Sequence, residues 1–451
     1  MTALTTVLKA LFPAALVATA SLAAASPAIA RERKPKAAAA PAPAPVSTLT
    51  ATLPALPQAA AVNAYYDRWG GPAWFSDGGR SVTALTKIIR RGQLDGIAEA
   101  PKLATEIERA AAVAAKGNAA DRRAAEQFLS TTWVAYVEAI RKPVQNMIYG
   151  YPALAPKQAG ADEILAAAAA APSLATHLES VATVNPIYAE LRDAAWAEMG
   201  ANPAATPDAR ILLNLARLRS LPTVNRFALV NIATQTLMMY ENGRQVDSMK
   251  VIVGTKEQLT PMISSVIYYT TFNPYWNVPD HLIRKTVAPN MLKMGPSYLN
   301  TRGYQVMSDW SEKATVVPAS AVDWKAVVAG TKKIRVRQLP GPGNSMGKLK
   351  FSFANGADIF LHDTPSKGLF AKPDRYLSNG CIRLEDARRF GRWLLQKEPT
   401  APSAEPEQFV QLPAGVPVYI TYLTAREANG KITYANDIYG WDGPRQQMVS
   451  R

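Results

Sequence analysis

Two hydrophobic periods divide the chain. From about residue 61 to residue 221, apolar positions recur at helical spacing in Ser81–Gln93, Pro101–Ala115, Arg122–Arg141, Ala161–Ala171, Leu174–Ala182, Pro186–Met199 and Asp208–Arg219. Short connections between Ala-rich helices predict a bundle. No period of 20–50 residues repeats. After Pro222 the apolar runs shorten and become β-branched or aromatic: Phe227–Ile232, Thr236–Tyr240, Gln245–Val253, Ser265–Phe272, Lys333–Arg337, Ile359–His362 and Val416–Leu423. Asn242-Gly243 between the second and third is a hairpin turn signal. One clear helix, Glu385–Gln396, interrupts them. Between Pro279 and about Gly343 the strand pattern lapses into Pro/Gly-punctuated sequence with a helical stretch, Leu282–Leu292, which reads as an inserted lid. The expected fold is α+β, an N-terminal α-helical scaffold region followed by a mostly β domain with an inserted capping (lid) segment. The expected boundaries are a leader at 1–30, an Ala/Pro-rich linker at 31–60, helices at 61–221, the β domain at 222–424 with its insertion at about 279–345, and a tail at 425–451.

Composition narrows the chemistry. The chain has 451 residues with 48% hydrophobic and 19% charged, enough for a sizeable core. Its leader has one charge, Lys9, an apolar run and Ser26-Pro27-Ala28-Ile29-Ala30, the small-residue pattern of secretory cleavage. An uncleaved anchor is the alternative. After cleavage no later segment is apolar enough to span a bilayer, so an exported, soluble protein of the periplasm or cell wall is expected. Lys plus Arg number 50 against 35 Asp plus Glu, a net +15. Export and the lack of a nucleic-acid motif turn that charge toward an envelope polyanion or a carboxylate-rich substrate, not toward nucleic acid. Oligomeric state is not written in the sequence.

One cysteine and three histidines limit what the chain does. No internal disulfide framework or Cys-rich metal site is available, and no metal or cofactor is expected. Cys381 is therefore either a buried inert thiol or a working one. His362, ending the run Ile359-Phe360-Leu361, is the nearest candidate base, with Asp363 or a nearby carbonyl to orient its ring. Gly380 permits close backbone approach, and main-chain N–H groups at Gly380 and Cys381 are candidate oxyanion donors. His281 reads as a surface or lid residue and His177 as an ordinary helix residue.

His362-Asp363-Thr364-Pro365 followed by Ser378-Asn379-Gly380-Cys381-Ile382-Arg383 resembles the active-site signature of the YkuD-type L,D-transpeptidases, cysteine enzymes of peptidoglycan. The resemblance extends through Val251-Ile252-Val253-Gly254, Thr260-Pro261-Met262, Asn273 to Pro279, Gln338 to Asn344 and Asp437 to Asp442. These segments are similar to the large Gram-negative branch with a scaffold domain and a capping loop. The strong part covers Ile211–Asp442, with a weaker echo at Tyr65–Gly79. Departures are Asn379 where much of the family has His, Arg383 where many members have Asn, and Met262 in the Thr-Pro motif. No three-helix peptidoglycan-binding repeat is evident.

The resemblance implies that Cys381 attacks the third residue of a tetrapeptide stem and releases D-alanine. His362 serves as base and acid, and an acceptor amine resolves the thioester into a cross-link. Asn379 is a possible oxyanion donor. Ser378, Arg383, Trp276 and Tyr304 are candidate substrate-binding residues, although Arg383 could instead pair with Glu385 or Asp386 and Trp276 could be packing. Peptidoglycan stem peptides are the expected partners and carbapenem-type β-lactams the expected covalent inhibitors. An L,D-carboxypeptidase using water, or a non-catalytic cell-wall scaffold protein, are the competing readings. A sortase does not match the short His362–Cys381 separation.

Overall fold

The computed structural model describes residues 46–50, 52–221 and 224–443. The expected leader, the linker before residue 46 and the last eight residues of the tail lie outside them. Six helices form the first body: α1 (Ala59–Trp69), α2 (Arg80–Arg90), α3 (Ala100–Lys116), α4 (Ala119–Ile140), α5 (Ala161–Ala169) and α6 (Leu174–Thr183). Their apolar faces meet around Trp74, Leu85, Ile107, Leu129, Trp133 and Leu178. Asn118 caps α4 by accepting the Asp121 N–H. The Asp121 carboxylate in turn accepts the Thr48 N–H at 2.7 Å, and Leu49 is buried beside it. The end of the stretch read as a tether is therefore docked on the helices.

The second body is a barrel. In chain order its strands are β1 (Met147–Tyr149), β2 (Arg226–Asn231), β3 (Thr236–Glu241), β4 (Arg244–Gly254) and β5 (Met262–Phe272). The insertion then supplies β6 (Trp276–Asn277), β7 (Tyr304–Met307), β8 (Val316–Val317) and β9 (Arg335–Gln338). Beyond it come β10 (Leu349–Phe353), β11 (Leu361–His362), β12 (Tyr376–Ser378), β13 (Ile382–Leu384) and β14 (Gln408–Thr421). Pairing runs β5-β10-β11-β13-β4-β3-β2-β14, and β14 returns to β5, so the sheet closes on itself. Closure leaves no long free edge. Asn242 and Gly243 both adopt positive φ, the type I′ requirement of the β3–β4 hairpin.

Helices α7 (Pro186–Glu198) and α8 (Ala209–Leu218) do not pack with the first six helices alone. Leu191, Leu215 and Leu218 share a core with Phe227, Leu229 and Tyr419 of β2 and β14. β1, from the same helical half, pairs in parallel with β5. A three-residue strand carries too few alternations to be read from sequence.

The insertion has its own core. Here α9 (Asp280–Leu282) passes through a π turn (Ile283–Val287) into α10 (Ala288–Met294), followed by α11 (Ser297–Thr301) and α12 (Trp324–Ala329). These helices bury Ile283, Val287, Met291 and Val327 against Val306 and Val336 of a sheet ordered β6-β9-β7-β8. The strand content exceeds expectation because these strands are two to four residues long. Beyond the barrel helix α13 (Ala387–Leu395) and β14 come a hairpin, β15 (Ala425–Ala428) and β16 (Lys431–Tyr434), and a strap through Tyr439.

Candidate active site

Alternation along β11 and β13 decides which side chains meet. Leu361 and Ile382 are in register and fully buried in the barrel core. The neighbouring positions therefore turn to the other face. There His362 is paired with Arg383 on one side and Lys350 on the other. Cys381, two residues before Arg383, belongs to the same face. The parallel pairing of β11 and β13 thus sets one of the three histidines on a strand next to the one that the sole cysteine immediately precedes, across a crossover of fewer than twenty residues.

The loop that carries Cys381 is tied down at Ser378, Gly380 and Cys381. Ser378 Oγ donates to the Cys381 carbonyl at 2.5 Å and accepts the Gly380 N–H at 3.1 Å. Gly380 has φ +111, a conformation that disfavours any side chain, and an added Cβ would lie 3.2 Å from Ile359 Cδ1. Thr260 Oγ1 donates to the Gly380 carbonyl at 2.6 Å and accepts the Gly254 N–H at 2.9 Å. Tyr439 of the strap donates to the Gly254 carbonyl at 2.6 Å and accepts the Thr260 N–H at 3.3 Å. The Cys381 thiol is half-buried and donates to the Asp358 carbonyl at 3.6 Å.

The electrostatics follow from burial between cations. The His362 ring is buried, with Nδ1 2.6 Å from the Asp363 carbonyl oxygen. A carbonyl only accepts, so Nδ1 carries the proton and Nε2 keeps its lone pair. Burial, and next the Arg383 charge, hold the imidazole pKa down to about 4. Burial also pushes the Cys381 thiol above its ordinary value, while the Phe360 N–H, Lys350 and Arg383 act in the opposite direction. The resting site at neutral pH is a neutral imidazole with a protonated thiol.

The remaining candidates are placed as follows. The Asp363 carboxylate points away from the ring, accepting the Lys348 N–H at 2.9 Å and the Lys367 ammonium at 2.8 Å. Any orienting by Asp363 runs through its carbonyl. The Gly380 N–H is occupied by Ser378, whereas the Cys381 N–H makes no hydrogen bond among the described residues. Ser378 is buried and committed to the loop, and Asn379 is exposed. Glu385 accepts the Lys250 N–H, and Asp386 caps α13. Arg383 forms no ion pair with either, and burial lowers its pKa. Trp276 and Tyr304 are neighbours in the insertion, with ring centroids 6.5 Å apart, half-buried on its core. They are not hydrogen-bonded to the Cys381 loop. His281 lies in α9, and its Nε2 is buried without a partner; His177 packs edge-on to Trp133 in the first body. Thr260, Asp358 and Tyr439 received no role from sequence, because their contacts to the loop join distant segments.

Two family models match the chain. Residues 225–420 match the family model of the L,D-transpeptidase catalytic domain, YkuD, and residues 59–194 match that of the scaffold domain. The chain is similar to a Haemophilus influenzae protein provisionally named an L,D-transpeptidase, at 28% identity over 316 residues. That match covers 68% of this chain and 63% of the relative, so the chain spans less than two thirds of the relative's length. A solved L,D-transpeptidase from Mycobacterium smegmatis aligns over 44% of this chain and 58% of its own, at 12% identity and a TM-score of 0.22.

Proposed function

The chain carries a YkuD-family L,D-transpeptidase catalytic domain behind a scaffold domain, and on that premise we propose that it is a peptidoglycan L,D-transpeptidase working through Cys381. His362 Nε2 takes the thiol proton as sulfur attacks the carbonyl of the third residue of a tetrapeptide stem. The oxyanion forms against the Cys381 N–H, a loop donor without an internal partner among the described residues. Collapse breaks the amide to D-alanine, whose amine leaves with the proton from His362. The side-chain amine of an acceptor stem then attacks the thioester, loses a proton to His362 and expels the thiolate, leaving an amide cross-link. Arg383 is unpaired beside the site and is suited to a stem carboxylate. Trp276 and Tyr304 enter as residues that fix the shape of the insertion over the donor. The reaction belongs outside the cytoplasmic membrane, in keeping with the leader pattern at 1–30.

The observation that supports this reading is the in-register pairing of His362 and Arg383, two residues beyond Cys381, with the Arg383 charge acting on both imidazole and thiol. Incubation with disaccharide tetrapeptide, followed by mass analysis, tests it. A cross-linked dimer and loss of D-alanine are expected, with no reaction by Cys381→Ala. Tripeptide without dimer would make the enzyme a carboxypeptidase. A carbapenem should add its mass to the wild type and not to the alanine variant.

A further inference from the structure

Charge is not spread evenly over this protein. Residues 279–345 hold ten Lys or Arg against four Asp or Glu, so about a seventh of the chain carries +6 of the net +15. Ion pairs among the described residues lie in the helical body, the barrel and the strap. None involves the insertion. Lys285, Lys293, Lys313, Lys325, Lys332 and Lys333 are all exposed. Unpaired cations of one sign on a small body produce a field that reaches beyond its surface, roughly to the Debye length of about 8 Å at physiological salt.

The insertion sheet has one face covered by α10 and α12 and one that these helices do not cover. Val306, Val336, Trp276 and Tyr304 take the covered face. Alternation sends Arg335, Arg337 and Gln305 to the other. Two aromatic rings are fixed on that side by guanidinium groups. Arg335 lies 5.3 Å from the Trp310 ring centroid, and Arg337 lies 4.3 Å from that of Tyr275. Arg335 is itself anchored, donating to the Asp309 carbonyl at 3.2 Å and the Ser311 carbonyl at 3.3 Å. Trp310 is nevertheless 70% exposed. A rigidly backed indole open to solvent is a stacking platform whose ordering cost is already met.

We propose that exposed Trp310, backed by Arg335 on this second face of the insertion, is a docking surface for an anionic glycan polymer. In the case of the reading above, that polymer is the peptidoglycan strand: sugar rings stack on Trp310, and free stem carboxylates meet Arg335 and the field of the insertion's unpaired cations. The inference deepens the proposed function and rests on it. Trp310 and the lysines lie outside the Cys381 loop and its hydrogen bonds. Docking therefore acts on polymer capture and leaves the chemistry of a small stem peptide alone.

The test pairs two substrates. Full-chain protein is sedimented with purified sacculi at rising salt, and turnover is measured on a soluble tetrapeptide without glycan. Trp310→Ala and the triple change Lys313→Glu, Lys332→Glu, Lys333→Glu should each lower sacculus binding about tenfold or more. The triple variant should also flatten the salt dependence. Soluble-peptide turnover should stay within about twofold. Cys381→Ser should bind sacculi like wild type, which separates docking from catalysis and keeps the binding readout valid if transpeptidation fails. Wild-type binding to sacculi by both variants would overturn the proposal. So would binding to phosphatidylglycerol vesicles, lost in the variants, with sacculus binding unchanged. That second result would make the surface a membrane contact.

Discussion

A neutral imidazole beside a protonated thiol behaves differently from a preformed ion pair. Thiolate must be generated during attack or by rising pH, since the thiol is the group pushed upward and the imidazole the group pushed down. Alkylation of Cys381 by iodoacetamide should therefore climb steadily from neutral to alkaline pH, with no inflection between pH 5 and 7. Arg383 draws the thiol downward. Arg383→Gln should slow alkylation at pH 7.5 by about 3- to 10-fold, the effect of roughly half to one pKa unit, and Arg383→Lys should restore part of it. Identical pH profiles would remove the guanidinium from the site's electrostatics. His362 also links pH to stability. Its folded value of about 4 lies below the ordinary 6.5. Its contribution is complete above that ordinary value and is lost as pH falls toward 4, by about 3 kcal/mol at pH 4. Urea melts at pH 7 and 4.5 should show this loss, and His362→Gln should lessen it. Equal pH dependence in both proteins would refute the assignment.

At the scale of elements, the Cys381 loop is held by pieces distant in sequence. Arg217 of α8 donates to the Trp441 carbonyl at 2.7 Å and pairs with Asp442 at 2.8 Å. Trp441, Tyr422 and Tyr376 surround Tyr439 with ring centroids 5.0–5.6 Å away. Tyr439 then reaches Gly254 and Thr260, and Thr260 holds Gly380. On the proposed function Cys381 is the nucleophile, and small displacements of a nucleophile are costly to rate. Tyr439→Phe keeps the ring packing and removes only the hydroxyl. It should lower kcat about tenfold with KM nearly unchanged and the melting temperature within a few degrees. Loss of KM with kcat intact would assign Tyr439 to substrate contact instead. The sequence placed Tyr439 in a motif without a reason for it. The reason is a hydrogen bond to Gly254, 185 residues away.

Across the whole molecule the helical half and the barrel are built into each other. β1 extends the edge beside β5, and α7 and α8 bury Leu191, Leu215 and Leu218 on β2 and β14. Uncovering side chains of this kind costs about 1.5–3 kcal/mol each. Asp95 joins the two helical groups, accepting from Tyr188 at 2.6 Å and Tyr136 at 3.1 Å while its own carbonyl accepts from Arg219. A fragment of residues 225–443 should therefore lack a cooperative thermal transition that residues 46–443 retain. Calorimetry showing an unchanged transition in the short fragment would mean that the barrel needs none of these helices.

Sequence by itself determined the two periods, and with them the helices, most long strands and the change of architecture near Pro222. Cys381 and His362 stand out as candidates for a different reason: scarcity leaves few alternatives, and the motifs around them resemble one family. Short-range rules act within a turn or a strand, so these features survive without a fold. Tertiary structure decided what long-range contact alone sets. Closure of β14 on β5 gave a barrel where period 2 gave only strands. Pairing of β11 with β13 turned two motifs into one face. Hydrogen-bond competition assigned the Gly380 N–H to Ser378 and left that of Cys381 unpaired. The net charge was visible in the composition, whereas the side of the insertion sheet that Arg335 and Arg337 take required the register of strands too short to announce themselves.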